Sequence, residues 1–345
     1  MRIEWQDHLR GFTVEWADEQ RYVLSQRNML YATASLAAPL ELRALGAFPS
    51  PYWQQFVAKI RPAQRLLRFL YYNVIRLPDN GGLFVTFKNG AGIFRNGRFI
   101  PISGFLRSSK FLRGACAMDR SGGIYMGEYA SNPGRTPVLL YHLPPRSTRV
   151  EVVHEFAAGT VRHVHGVFYD SYENHIWCTT GDKEKECQII KTADGFRTFD
   201  VAGKGDETWR AVSLVVTPEH VYYGMDAEFR QNYIFRIDKH SGRRESLGEV
   251  DGPVYYSRQL GKEILFGVSA EGCPSQVENR ASLWAVQGDT ISRILSIGKD
   301  VYPRHFMPGT FHFNLGPARG GGECFCYCNG LKGADQRTVG LFADA

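Results

Sequence analysis

Apolar residues along this chain fall in short runs, rich in β-branched and aromatic side chains and cut by polar turns, rather than at helical spacing. Three stretches superimpose when laid over one another: 112–156, 161–202 and 208–250. Each opens on a strand-like segment with an arginine near its start, namely Arg113, Arg162 and Arg210. A turn bearing an acid follows, then a second strand ending on glycine or an acid: IYMGEY (124–129), IWCTTGD (176–182) and VYYGMDA (221–227). A third and a fourth strand complete each unit. Four short strands repeated every ~40–50 residues are the mark of a propeller blade. Weaker copies occupy 64–103 and 252–297, and 309–342 together with the N-terminal strands supplies one last blade. The pattern therefore predicts an all-β chain, a single domain over 1–345. Six four-stranded antiparallel blades make it up, closed so that no sheet edge is left free. Helical spacing appears only near residues 50–62, read as a surface insertion.

Composition narrows the partners. With 43% hydrophobic residues and 345 positions, there is ample material for a large core, which excludes disorder as the main state. The net charge of +6 is mild and dispersed. It favours anionic small molecules or glycans over nucleic acid. No run approaches the ~18–20 apolar residues of a membrane span. The first twelve residues carry acids where a secretory leader needs an apolar stretch, and the seven cysteines are odd in number and irregular in spacing. The expectation is a soluble, cytoplasmic protein.

Equivalent positions in a repeat lie at equivalent places in the fold. Antiparallel neighbours set the start of one strand beside the end of the next. Arg113, Arg162 and Arg210 should thus meet Glu128, Asp182 and Asp226 on one rim of the central channel, with Arg68 as a fourth cation. Guanidinium forks bind carboxylates bidentately, so such a ring points to a sialic, ulosonic or uronic acid. The nearby carboxylates would serve as acid and base for glycosidic cleavage. Trp209 and Tyr129, adjacent to Arg210 and Glu128, join the arginines as candidate substrate-binding residues. Tyr255 and Tyr256 open the first strand of 252–297, where one of them should reach the rim as a nucleophile or a stacking surface.

The segment RHVHGVFYD (162–170) forces a choice. Period-2 alternation puts His163 and His165 on one face and Arg162 with Val164 on the other. A strand-end bulge would relax this and bring all three to the rim. The histidines are expected to reach it, as a proton shuttle or as ligands of a divalent metal completed by Asp182, Asp226, His305 or His312. No cofactor is expected, the metal being the alternative. Cys324, Cys326 and Cys328 alternate along one strand and read as buried thiols.

The stretch TADGFRTF (192–199) resembles the Asp-box of sialidases and related repeat propellers. Thr192, Asp194, Thr198 and Phe199 match it, and Phe196 stands where the box prefers glycine. The resemblance implies a sialidase-like propeller. Arg113, Arg162 and Arg210 would be its carboxylate clamp, Tyr256 or Tyr255 its nucleophile, and Glu128 or Asp182 the group that activates the tyrosine or acts as acid/base. Two further readings stand beside glycosidic hydrolysis. One is a polysaccharide lyase using His163 or His165 and a tyrosine. The other is a non-catalytic glycan-binding or scaffolding propeller in polysaccharide biosynthesis.

Overall fold

The computed structural model describes residues 1–79, 81–88, 90–107, 110–317 and 322–344. Among these residues, twenty-eight strands form seven four-stranded antiparallel sheets. The molecule is a seven-bladed β-propeller, which corrects the six blades expected from the sequence. Blades 1 to 6 are built from consecutive strands within 13–47, 71–101, 116–156, 164–204, 211–250 and 254–298. Blade 7 takes three strands from 310–342 and its outermost strand, Arg2–Trp5, from the other end of the chain. Arg2 pairs with Phe342 and Trp5 with Val339, so the two termini share one sheet and close the ring.

The miscount has a physical origin. Segment 13–47 is a complete blade, but its fourth strand, Arg43–Ala47, reads RALGA and is exposed or half-buried throughout. A nine-residue loop containing Pro39 also separates it from the third strand. Nothing apolar marks it as a strand, so the segment looked like a supplement to the last blade.

Within each blade the inner strands are buried and the outermost is half-solvated, as in Thr290–Gly298. The core lies between blades. Trp177 and Ile189 of blade 4 pack against Ala211, Leu214 and Tyr223 of blade 5. Cys324, Cys326 and Cys328 are wholly buried against Leu265, Leu283 and Phe311, between blades 6 and 7. All seven cysteines are free thiols.

The insertion between blades 1 and 2 holds two short helices, Tyr52–Val57 and Arg61–Leu67. Pro62 lies in the first turn of the second helix, where its missing N–H costs nothing, so helical structure continues beyond the 50–62 expected from spacing. That second helix is not merely superficial. Arg61 binds Asp335 through two 2.8 Å hydrogen bonds, and Arg65, 1% exposed, donates to the Phe306 carbonyl and pairs with Asp300. Arg61 thus clamps the helix to blade 7, and Arg65 clamps it to the segment between blades 6 and 7. The chain then turns through a left-handed residue, Arg68 at φ 53°, into the innermost strand of blade 2.

Candidate functional site

The start of each innermost strand and the end of the second strand share one edge. Val164 faces Thr180, Ala211 faces Met225 and Val254 faces Val268. A cavity of about 390 Å³ lies on the axis at this edge, a volume within the usual range for small-molecule sites, ~300–1,000 Å³. Five of the innermost strands carry an irregularity close to this end. It leaves Glu15, Tyr72, His165, Val212 with Ser213, and Tyr255 outside the regular pairing. Four of these unpaired residues, Tyr72, His165, Val212 and Tyr255, line the cavity. A bulge turns the extra residue out of strict alternation, so the repeat of the blade becomes a repeat of inward-aimed side chains. It also resolves the choice posed by RHVHG: Arg162, His163 and His165 all line the cavity.

The densest chemistry is at blade 4. His163 Nε2 lies 3.1 Å from His165 Nε2 and 3.3 Å from Asp182 Oδ1, and His165 Nε2 lies 3.2 Å from the same oxygen. The far nitrogens are committed. His163 Nδ1 is 3.1 Å from the Ala130 carbonyl, and His165 Nδ1 is 3.1 Å from the Ala211 carbonyl. A carbonyl can only accept, so each Nδ1 carries a hydrogen and each Nε2 is left to face Asp182. Three acceptors so close repel one another unless a proton or a metal cation sits among them. Their spacing also fits a metal, because ligands bound at ~2.1 Å and near right-angled or tetrahedral geometry lie ~3.0–3.4 Å apart. Two histidines and one carboxylate are a familiar ligand set for divalent metals. Gly181 makes the corner that places Asp182. Its φ is +104°, and a Cβ there would stand 2.4 Å from the Glu186 backbone.

Burial works against the charged form of Asp182. Hydrogen bonds and charge from both histidines outweigh it and hold the carboxyl well below its usual range. Burial pushes His165 down to about 4, helped by His163 and Arg210 and opposed by Asp182. Arg162 donates to Asp182 at 2.7 Å, and Arg210 bridges Asp182 at 3.3 Å and Asp226 at 3.0 Å. Burial raises Asp226 above the ordinary carboxylate range, against the pull of Arg210.

The tyrosines form another wall. Tyr129 lies against His163, ring centroids 4.2 Å apart, and burial pushes its hydroxyl far up. Tyr256 packs edge-on to His312 at 5.2 Å and is raised by burial to about 12. Tyr255 is raised by burial and by the neighbouring carboxylates Glu271 and Asp226, and bonds to Glu271. His312 also lines the cavity, bonded to Thr310 at 2.9 Å, whereas His305 packs at a tilt against Phe306 outside the lining.

Three sequence candidates stand differently. Arg113 reaches the cavity wall but is locked in a buried 2.6 Å ion pair with Glu15, both side chains 2% exposed. Glu128 lies outside the lining, held by Arg107 at 2.8 Å, Tyr141 Oη at 2.8 Å and the Leu139 amide at 3.0 Å. Trp209 also lies outside it, beneath the Arg244 guanidinium at 3.8 Å. The partners Glu15 and Arg107 lie outside the aligned stretches, which is why the repeat did not reveal them. Sequence reasoning also missed Lys110 and Tyr72 in the lining. The bulge position shared by Tyr72, His165 and Tyr255 was the available signal.

A second cluster lies at the opposite edge of blade 4. There Asp170, Glu173 and His175 also cluster, but the buried Lys239 ammonium already occupies the position of a cation, 2.7 Å from Asp170 and 3.3 Å from Glu173. The turn that resembles an Asp-box is at this edge too. Thr192 Oγ1 donates to Asp194 and to the Thr198 carbonyl, and Asp194 accepts from Thr198 N at 3.0 Å. Phe196 adopts φ 72° and is 2% exposed. The turn is an architectural device remote from the cavity.

No protein-family model matches the sequence, and no curated protein does. Solved structures similar to the whole chain are propellers of varied kinds. An oligogalacturonate lyase in complex with manganese matches at TM-score 0.59 and 10% identity, over 97% of this chain and 90% of that one. YCF48 bound to D1 peptide matches at 0.58 and 12%, over 99% and 97%. A chain of the mitotic checkpoint complex matches at 0.56 and 12%, over 100% and 94%. At such identities the likeness is one of fold. Among the described residues no helix is long and apolar enough to cross a membrane.

Proposed function

We propose that the protein is a carbohydrate-active enzyme that cleaves a glycosidic bond beside the carboxylate of an acidic sugar, by β-elimination, in the central cavity. The observation that carries this reading is the convergence of His163 Nε2, His165 Nε2 and Asp182 Oδ1 within 3.1–3.3 Å, their far nitrogens anchored, in an arginine-rich cavity. These three residues would hold a divalent cation, which when bound would draw charge from a substrate carboxylate as a Lewis acid. Arg162 and Arg210 orient Asp182 and add positive field where enolate charge develops. In the elimination the proton next to the carboxylate passes by way of the Tyr255 hydroxyl to the Glu271 carboxylate it faces, the electron pair left behind forms the new double bond, and the bond to the departing oxygen breaks. Asp226, whose carboxyl burial favours in the protonated form, and the Tyr256 hydroxyl are the groups that can return a proton to that oxygen.

A second reading, retaining hydrolysis on a tyrosine nucleophile, draws on the bonded pair Tyr255 and Glu271. It lacks the three-arginine clamp, since Glu15 engages Arg113. Incubation with oligogalacturonate and with a sialylated oligosaccharide, followed by mass spectrometry, separates the two. Elimination yields ultraviolet-absorbing unsaturated products whose masses sum to that of the substrate. Hydrolysis adds one water. Intact substrates with and without added manganese would refute an enzymatic role on these sugars.

A further inference from the structure

The carboxylates in and around the cavity do not balance its cations evenly. Arg162 and Arg210 are paired with Asp182 and Asp226, and Arg113 with Glu15. Glu228, the remaining acid of the lining, approaches Arg304 at 3.8 Å. On the side formed by blades 2 and 3 the balance fails. Arg68 and Lys110 both line the cavity, and neither has a carboxylate within ion-pair distance among the described residues. The charged groups acting on Lys110 are themselves cations, Arg68 and Lys88. Its ammonium is held over two aromatic faces, 5.3 Å from the centre of Tyr72 and 4.9 Å from that of Tyr129. Tyr72, 5% exposed, adds a buried hydroxyl with no completed hydrogen bond, although Arg68 approaches it.

Each element is fixed by structure outside the cavity. Arg68 follows the helix that Arg61 clamps to blade 7 and Arg65 to the segment between blades 6 and 7, and its φ of 53° turns the chain into the innermost strand of blade 2. Lys110 is tied to blade 3 by the 3.0 Å bond from the Tyr129 amide to its carbonyl. Two cations and a hydroxyl with no completed hydrogen bond, in a half-buried wall where no carboxylate among the described residues reaches either cation, are a cradle for an anion from outside.

We propose that Arg68, Lys110 and Tyr72 form an anion subsite separate from the His163–His165–Asp182 group, and that the ligand carries two acidic groups: one sugar carboxylate at the histidine group and the carboxylate of the next sugar at Arg68 and Lys110. The assignment of the anion to a sugar rests on the function proposed above. The substrate class is therefore a chain of contiguous uronic acids rather than a glycan with one terminal acid.

Titration calorimetry with galacturonate and digalacturonate, in manganese, reads the sugar part. The wild type should bind the dimer more tightly than the monomer. Lys110→Met and Arg68→Gln should each erase that advantage, a loss of roughly 10–100-fold for a charge-assisted contact, with monomer affinity unchanged and circular dichroism confirming the fold. The exposed Lys183→Gln should match the wild type. Variants that keep the dimer advantage would overturn the subsite. A second readout is independent of sugar: acetylation of Lys110 followed by mass spectrometry, with and without inorganic phosphate. Protection of Lys110 in the wild type but not in Arg68→Gln supports the subsite even where no uronate binds, a result that would refute the proposed function alone. Absence of protection by phosphate and by digalacturonate would overturn the subsite itself.

Discussion

Lys110 should cost the protein stability, and Lys110→Met should recover it. Burial first, then repulsion from Arg68 and Lys88, lowers its amine from the ordinary 10.5 to about 7. The sign follows from proton counting. Between those two values the unfolded chain binds a proton that the folded chain does not, so stability rises with pH across that window. The penalty is complete below about pH 7 and fades as pH climbs toward 10.5. A displacement of that size corresponds to at most about 5 kcal/mol. Lys110 keeps partial access to solvent, and the Tyr72 and Tyr129 faces already favour its charge, so the recoverable part is about 1–3 kcal/mol. Urea unfolding of both proteins at pH 6, 7.5 and 9 checks it. The variant should be more stable at pH 6, with a midpoint in thermal scans higher by about 1–4 °C, and the difference should shrink at pH 9. A variant equal to or less stable than the wild type at pH 6, with a difference that does not change with pH, would show that the ammonium is satisfied in place and would remove the reason to expect an external anion.

Glu15→Ala should destabilise the fold by about 3–5 kcal/mol in urea unfolding, because it strands Arg113 in a buried site; a loss under 1 kcal/mol would mean that the pair is dispensable. Asp182→Asn should weaken manganese binding measured by calorimetry at least 10-fold, and unchanged binding would place the ion elsewhere. His312 is held neutral by burial and by Arg113 and Arg61, well below its ordinary 6.5. The unfolded chain therefore takes up its proton first, and stability is lost as pH falls below about 6.5. His312→Gln should reduce that acid slope by up to one proton, about 1.4 kcal/mol per pH unit, and an unaltered slope between pH 6.5 and 5 would refute the assignment.

The repeats in 112–250 were legible from apolar runs and turns alone, because each blade there buries its own alternating strands. The same alignment was enough to place Arg162, Arg210, Asp182 and Asp226 at one edge, since antiparallel pairing follows directly from order along the chain. The blade count was not legible. Arg43–Ala47 and Arg2–Trp5 are outer strands with little apolar pattern, and Arg2 finds its partner at Phe342, across the length of the chain. Which residues face the axis was not legible either. The bulges at His165, Tyr72 and Tyr255 depend on how a neighbouring strand takes up one extra residue. Charge partners came from the same source: Arg113 and Glu128 look alike in every repeat to Arg210 and Asp226, yet Glu15 and Arg107 claim them. Local periodicity is written in neighbouring residues, whereas ring closure, bulge placement and ion pairing are settled by free-energy differences among contacts between blades, which arise only once the ring is assembled.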